Sequence, residues 1–264
     1  MHWLIQRKFE YDRNYLRLLE SLDRLKIPYS YCKVIPFTED GIEWEGERPS
    51  PDTKCFASGS YTLAKIAKKY YKPGAFISEN LDMGNIYANY REEMFNKDLI
   101  LSSIREADPE KKGLKKFFIR PIKDSKSFTG QVMTVEEFEV WRKRLYELPK
   151  DEFSTVTLNT IICYSSIKPI DFEVRFFIVD GKPVTWSEYK NGNTVAYKEH
   201  VDEYIVDYVK RLIGNPDLSQ PEKAYVLDIA VTDGIPKVLE TNCINAVGLY
   251  AIDTQKLVMA IEDL

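Results

Sequence analysis

The chain has 264 residues, with 37 Lys and Arg residues against 41 Asp and Glu residues, so its formal net charge is −4. Apolar residues make up 44% of the sequence and charged residues 30%. This balance is typical of a globular protein with a buried core and excludes a largely disordered chain. No segment approaches the roughly 20 apolar residues of a membrane helix, and the acidic balance disfavours a general duplex-binding protein.

The counts of histidine and cysteine exclude further classes of mechanism. A Ser-His-Asp or Cys-His centre would have to use one of only two histidines, His2 and His200. The four cysteines lie far apart without CxxC spacing, so we expect neither a zinc cluster nor a disulfide framework. The first residues pass from apolar directly to charged ones, which is not the pattern of a signal peptide, and we expect a cytoplasmic protein.

The first hundred residues alternate between strand and helix patterns. The predicted elements are a strand at 3–6, a helix over 15–25 stopped by Pro28, strands at 29–35 and 54–57, and a helix over 63–70. This order predicts a small, mainly parallel, open sheet. Residues 80–106 are predicted to be helical and connecting.

A charged segment with Pro and Gly, residues 108–116, marks a predicted boundary between domains 1–107 and 108–264. Beyond it the predicted elements are strands at 117–119 and 155–164, helices over 135–148 and 197–212, hairpins over 174–189 and 225–240 turned at Asp-Gly pairs, and a helix from 254. The predicted fold class is α/β with α+β character: a small parallel βαβ domain, then antiparallel sheets.

Acidic and amide side chains form the strongest motif. Glu240 and Asn242 are two apart on a predicted strand and so share a face, while Asp228 lies on the partner strand. A three-residue loop after Thr232 would pair Asp228 with Glu240, whereas a two-residue loop would place Asp228 opposite Leu239, on the wrong face. Such oxygens on one sheet face are suited to Mg²⁺. A solvent-facing strand whose acids bind nothing is the alternative.

A second motif is cationic. The strand at 117–119 leads into Arg120, and a loop with Lys, Ser, Thr and Gly follows through Lys126 to Gly130. Cations, hydroxyls and backbone N–H groups in this order are suited to wrapping a polyphosphate. The spacing of a Walker A loop is absent, and a solvated basic hairpin is the alternative.

A third motif places an arginine in an apolar strand. Glu173, Arg175 and Phe177 share one face of a strand whose other face is apolar. If Arg175 is buried, it needs an anionic partner. That partner is either Glu173, in a purely structural pair, or a phosphate and the charge that develops on it.

Together and in this order, these motifs resemble the ATP-grasp superfamily. The strings that carry the resemblance are Phe-Ile-Arg-Pro-(x)₄-Lys-Ser-Phe-Thr-Gly, then Glu-x-Arg-Phe-Phe-Ile-Val-Asp-Gly-Lys, then Leu-Asp-Ile-Ala and Val-Leu-Glu-Thr-Asn. It covers roughly residues 116–264, and the preceding unit resembles the small domain that commonly precedes an ATP-grasp module. The strings look most like a divergent branch found largely in bacteria and phages, related to a eukaryotic assembly chaperone for a translation initiation factor.

The resemblance implies a nucleotide-binding set and a metal-binding set. The nucleotide-binding residues are Arg120, Lys126, Ile162, Cys163, Tyr164, Glu173 and Arg175, and the metal ligands are Asp228, Glu240 and Asn242. Arg120 and Lys126 would bind phosphates, the backbone of 162–164 would meet adenine at the end of its strand, and Glu173 would lie toward the ribose. Arg175 and Lys126 are the implied catalytic residues, with Arg175 on the γ-phosphate or acyl-phosphate. One departure is the short phosphate loop, in which Gly130 is the only glycine.

The implied function is an ATP-dependent carboxylate–amine ligase that uses ATP and Mg²⁺ and forms an amide through an acyl-phosphate, with release of ADP. Its implied partner is a small molecule, peptide or protein; we expect neither a membrane nor nucleic acid. The residues that bear on the substrate are around Gln6, Ser58 and Ser60, in 187–190 and in 245–250.

Two other functions stay open. One is a non-catalytic Mg-ATP-binding scaffold or assembly chaperone that binds a protein partner. The other is an enzyme that acts on nucleic acid through a lysine cluster in 111–116, although a solvated linker is the favoured explanation of that cluster.

Overall fold

A computed structural model of the protein describes residues 1–7, 12–35, 41–78, 81–123, 128–147 and 155–264. The chain divides into two compact units, Met1–Glu79 with Ile170–Leu264 and Asn80–Pro169. The predicted boundary between residues 107 and 108 falls inside the second unit, because a strand before it pairs with a strand after it. Within the described residues, no helix is long and apolar enough to cross a membrane.

The first sheet belongs to the first unit and is mainly parallel, as predicted. Its strands are β1 (His2–Gln6), β2 (Tyr29–Val34), β3 (Ile42–Glu45), β4 (Lys54–Ser58) and β5 (Lys72–Gly74), in the order β3-β2-β1-β4-β5. β1 pairs in parallel with β2 and β4, and β4 pairs in parallel with β5, whereas β3 is an antiparallel edge strand. β3 was not predicted, because its apolar and acidic residues alternate over four residues only and give a weak pattern.

Two helices pack on this sheet, α1 (Arg13–Leu25) and α2 (Tyr61–Tyr70). Asp12 and Ser60 cap their first turns by accepting hydrogen bonds from backbone N–H groups, which is the preferred use of these residues. Leu18 and Leu22 of α1 are fully buried against β1 and the C-terminal part of the chain. The predicted end of this helix before Pro28 is confirmed.

The second unit holds a four-stranded sheet. Its elements are α3 (Met83–Tyr90), β6 (Ile100–Ser103), β7 (Lys116–Pro121), β8 (Gln131–Thr134), α4 (Val135–Glu147) and β9 (Ile161–Ser166), and the strand order is β6-β9-β7-β8. Phe117, Ile119 and Tyr164 cover one face and pack against Phe138 of α4. The strand predicted at 155–164 begins only at Ile161, because turns occupy the residues before it.

The second sheet of the first unit is antiparallel throughout. Its strands are β10 (Phe172–Val179), β11 (Lys182–Asn191), β12 (Thr194–Lys198), β13 (Ala224–Thr232) and β14 (Ile235–Cys243), in the order β12-β11-β10-β13-β14. The helices α5 (Glu203–Ile213) and α6 (Thr254–Glu262) follow β12 and β14. The helix predicted over 197–212 begins at Glu203, because 194–198 pair with β11 instead. Both hairpins with Asp-Gly turns are confirmed.

An ion pair in the second unit predicts how stability depends on pH. Lys168 and the backbone N–H of Ser166 donate to the Asp98 carboxylate. Burial raises the pKa of Asp98, but these hydrogen bonds outweigh it and lower the pKa to about 2. The carboxylate thus contributes stability above its unfolded-state pKa, and this contribution is lost as the pH falls from about 4 towards about 2.

We therefore expect Asp98→Asn to lower the free energy of unfolding by about 1 kcal/mol at pH 7, a small value because the pair is partly exposed. Urea unfolding of both proteins at pH 7 and near pH 2 tests this. The difference should disappear at the lower pH; a difference that is the same at both pH values would contradict the assignment.

Candidate functional site

The turn between β13 and β14 differs from the one that the predicted site required. Thr232 pairs with Ile235, so the turn at Asp233 and Gly234 has two residues. Both have positive φ, 52° and 73°, a conformation that Gly and Asp tolerate better than most residues. The expectation of a three-residue loop is therefore wrong.

A β-bulge nevertheless brings the predicted side chains onto one face. Ile229 lies opposite Val238, but Asp228 lies opposite Glu240, because Leu239 is an extra residue in β14. A bulge shifts the register by one residue and so reverses the faces of the positions beyond it. The bulge has the effect that was expected of the longer loop.

Asn242 joins the two acids. Its amide nitrogen Nδ2 lies 3.2 Å from Asp228 Oδ2 and 3.0 Å from Glu240 Oε1. Asp228 is fully buried, while Glu240 and Asn242 are half-buried. The three predicted metal ligands thus converge, with two of them accessible to solvent; their binding of a metal stays a prediction.

Arg175 lies beside this group on β10, opposite Asp228. Its Nε and Nη2 donate to the two carboxylate oxygens of Asp228 over 2.8 and 2.7 Å, and its Nη1 donates to the carbonyl of Gly248 over 3.3 Å. The carbon Cζ also lies 5.2 Å from the ring centre of Tyr189 and 4.9 Å from that of Tyr250. The anionic partner of the buried arginine is therefore Asp228, and not Glu173 as the structural alternative expected.

Burial and charge act in opposite directions on this pair. Burial lowers the pKa of the Arg175 guanidinium, but the charge and hydrogen bonds of Asp228 outweigh it and raise the pKa overall. Complete burial raises the pKa of the Asp228 carboxyl, which Arg175 opposes and the charge of Glu240 reinforces. The two opposite charges therefore stabilise each other in a buried site that disfavours either charge by itself.

Glu173 has partners of its own on the same face. Lys190 Nζ donates to its Oε1 over 2.6 Å, and the hydroxyl of Tyr189 donates to its Oε2. Burial, and next the charge of Asp228, raise the pKa of Tyr189, so that this phenol keeps its proton. Its ring stacks on Tyr250 with centroids 4.8 Å apart. Both tyrosines lie in segments that were predicted to bear on the substrate. Their contact with Arg175 could not be predicted, since the three residues lie in separate parts of the chain.

The sheet of the second unit has a face that α4 does not cover. Its residues are Leu101, Phe118, Arg120, Val132, Ile161, Cys163 and Ser165, which the strand register places together. Leu101, Val132 and Ile161 are exposed, and Arg120 is half-buried. Cys163 and Ser165, on the central strand, are fully buried. We name this set the open face; its accessible part combines apolar surface with a cation.

The residues predicted to meet adenine lie at the centre of that sheet. Ile162, Cys163 and Tyr164 were expected at the end of a strand, but β9 continues to Ser166. β9 is flanked by β6 and β7, and Cys163, for example, pairs with a residue of each. The backbone of 162–164 is therefore used within the sheet, and its contact with adenine stays a prediction.

Lys126 lies outside the described residues. At the far end of its loop, Gly130 runs close over Phe118: a Cβ atom added to Gly130 would lie 2.9 Å from Cζ of that ring. A larger residue at this position would therefore force the ring of Phe118 to shift.

The expected substrate-side residues at 245 and in the first unit have structural contacts. Asn245 is buried and donates to the carbonyl of Ala57 over 2.6 Å, while its Oδ1 accepts from the N–H of Phe76 over 2.8 Å. Gln6 accepts from the N–H of Ser60 over 2.7 Å. These side chains hold backbone segments that are far apart in the chain. Their residue types alone did not indicate this structural role.

The donor set fits a hard divalent cation. Two carboxylates and one amide supply oxygen atoms, and Mg²⁺ is commonly held by one or two carboxylates with phosphates and water completing the shell. Within the described ranges there is no group of three His, Cys, Asp or Glu residues that could hold a metal.

The buried ion pair yields a prediction about stability. Asp228→Ala leaves the Arg175 charge buried without its partner, so we expect the free energy of unfolding to fall by about 3–5 kcal/mol. In the double variant Arg175→Met/Asp228→Leu, most of this loss should be recovered. Urea unfolding measures both, with Glu240→Gln as the half-buried control. A single variant as stable as the control would contradict the assignment.

The chain was compared with protein-family models and with known proteins. A family model described as an ATP-grasp domain, the third family of its clade, matches residues 63–261. Among curated proteins, no sequence matches the chain.

Three solved structures show the extent of the similarity. The ATP-grasp ligase PsnB, complexed with a phosphomimetic variant of a minimal precursor, Mg and ADP, has a TM-score of 0.55 and 13% identity, covering 99% of this chain and 97% of that chain. D-alanine–D-alanine ligase from Bacillus anthracis, complexed with ATP, has a TM-score of 0.58 and 14% identity, covering 99% and 96%. The D-cycloserine synthetase DcsG has a TM-score of 0.56 and 12% identity, covering 99% and 98%.

At such low identity the structures show the fold alone, and they bear out the predicted ATP-grasp architecture. The family model is more specific, because it spans well over half of the chain and includes β7, β10, β13 and β14 with their polar residues. The chain therefore belongs to the family of ATP-grasp domains whose model it matches.

Proposed function

We propose that the protein is an ATP-dependent carboxylate–amine ligase, which forms an amide and releases ADP and phosphate. The observation that carries this proposal is the polar group on one face of β10, β13 and β14. There a cation, Arg175, lies against Asp228, which in turn lies beside Glu240 and Asn242. Fixed charges of both signs at one place suit the neutralisation of a polyphosphate and its metal.

We propose that Glu240 and Asn242 hold Mg²⁺, with Asp228 Oδ2 as the third oxygen. The amide of Asn242 would turn its oxygen toward the ion, since in this structure its nitrogen faces both carboxylates. The bound ion would supply neutralisation of phosphate charge. Phosphate oxygens and water would complete the shell around these three groups.

The open face of the second unit supports nucleotide binding. Exposed Leu101, Val132 and Ile161 offer apolar surface suited to the flat side of a base. Arg120 adds a cation on the same face, and we propose that it binds a phosphate oxygen together with Lys126. A neighbouring fold of this type was solved with Mg and ADP.

The reaction needs no nucleophile from the protein. A substrate carboxylate oxygen would attack the γ-phosphorus of ATP, breaking its bond to the bridging oxygen and releasing ADP. An amine would then attack the acyl carbon, and phosphate would leave as the amine loses a proton. We propose that Arg175 steadies the charge on the transferred phosphoryl group through the N–H groups that Asp228 and Gly248 do not use. A peptide, protein or amino-acid-like molecule is the proposed substrate class.

The engagement of Arg175 also favours a second candidate function. Asp228, Gly248 and two tyrosine rings hold its guanidinium. An arginine fixed in this way suits a scaffold that binds Mg-ATP and a protein partner without turnover. Binding of ATP without release of ADP distinguishes the scaffold from the ligase.

Replacing one metal ligand tests the ligase. In Glu240→Gln we expect the rate of ADP formation to fall by roughly 100-fold or more, because an uncharged amide binds Mg²⁺ less well. The half-buried side chain adds little to the core, so the free energy of unfolding should change by less than about 1 kcal/mol. The assay separates ADP from AMP after incubation with Mg-ATP and a pool of amino acids and peptides.

Glu110→Gln, on an exposed turn, is the matched control and should behave as the unchanged protein. Formation of AMP would overturn the acyl-phosphate route in favour of adenylation. ADP formation that is unaffected by Glu240→Gln would remove Glu240 from the site.

A further inference from the structure

A strongly basic surface lies on the first unit, in a chain that is acidic overall. Residues 47–78 contain six cations and only the carboxylates of Glu47 and Asp52, whereas the formal net charge of the whole chain is −4. From Tyr61 to Gly74, through α2 and β5, there is no acidic residue. We name five exposed cations of this segment the basic face: Arg48, Lys54, Lys65, Lys69 and Lys72.

Ring contacts and the strand register place these cations in two groups, which the three-residue step along the chain from Lys69 to Lys72 connects. Lys65 and Lys69 are one helical turn apart on the exposed side of α2. Arg48 and Lys69 both lie over the ring of Tyr70, at 5.9 and 5.3 Å from its centre. Lys54 and Lys72 are direct neighbours on β4 and β5.

The arrangement of Lys54 and Lys72 works against folding. Like charges on directly neighbouring positions of two strands repel each other and lower stability. In the part of the chain that the structure describes, neither lysine forms an ion pair with a carboxylate. A surface that costs stability in the free protein is explained by a partner that neutralises it.

The partner is defined by what the basic face offers. Five cations call for a chain with several negative charges. Single-stranded nucleic acid would also require open aromatic rings on which bases stack. Here the cations of Lys65, Lys69 and Arg48 lie over the rings of Tyr61 and Tyr70. Carboxylates need only the cations. In an extended peptide, side chains on one side recur every ~7 Å, which is close to the ~6 Å rise between two residues four apart on a helix, such as Lys65 and Lys69.

We propose that the basic face binds an acidic segment, rich in Asp and Glu, of a partner polypeptide. The other lysine cluster, at 111–116, also has acids close to it in the chain: the backbone N–H of Lys111 donates to Asp108, and Glu110 adjoins. That cluster is a matched set of exposed lysines with its charge partly compensated. Binding at the basic face does not depend on ligase activity and is measured without ATP.

Fluorescence anisotropy of a labelled peptide of alternating Glu and Gly tests the proposal. We expect Lys65→Glu/Lys69→Glu/Lys72→Glu to weaken binding by about tenfold or more, and the matched Lys111→Glu/Lys112→Glu/Lys115→Glu variant to weaken it by less than about threefold. Raising the salt concentration from about 50 to about 500 mM should abolish binding. A Lys65→Gln/Lys69→Gln/Lys72→Gln variant, checked by circular dichroism, keeps the test valid if the charge-reversed protein does not fold.

Three results would overturn the proposal. Equal losses in the two triple variants would mean that net charge alone attracts the peptide. Binding of a labelled peptide of alternating Lys and Gly with similar affinity would remove the role of charge. An oligothymidylate of similar length that binds more tightly than the acidic peptide would assign the face to nucleic acid instead.

Discussion

The buried pair of Arg175 and Asp228 is the interaction on which the arrangement of the site depends. Both side chains are buried in an antiparallel sheet, on strands whose other face is apolar, so neither charge would be tolerated alone. Two parallel hydrogen bonds join them, and the carbonyl of Gly248 and two tyrosine rings cover the rest of the guanidinium. The pair fixes the position of a cation and an anion at the centre of the sheet, where chemistry with phosphate needs both.

The bulge at Leu239 determines which side chains this pair meets. Without it, the two-residue turn would place Leu239 opposite Asp228 and turn Glu240 to the other face. With it, Glu240 and Asn242 lie beside Asp228 at the more exposed edge. Without the extra residue, the ion pair would have an apolar neighbour on β14; with it, the ion pair lies beside the oxygens of the proposed metal site.

Much of this was predictable from the sequence, because periodicity and turn residues are local signals. The parallel strands around β1, the Asp-Gly hairpins and the presence of Asp228, Glu240 and Asn242 on facing strands all follow from spacing. The bulge left no such signal, and the loop length inferred in its place was wrong. β3, β5, β6, β8 and β12 were not predicted because short edge strands depend on their neighbours more than on their own residues. The partners of Arg175 lie far along the chain, so only the folded structure shows them.

The central claim is that Glu240 and Asn242, beside Asp228, form the metal site of a nucleotide-using enzyme. A crystal structure with Mn²⁺ and a non-hydrolysable ATP analogue tests it most directly, since the anomalous signal of manganese locates the ion. The account predicts an anomalous peak about 2.2 Å from oxygens of Glu240 and Asn242, with phosphate oxygens in the same shell. A nucleotide bound with its metal away from these side chains would contradict it.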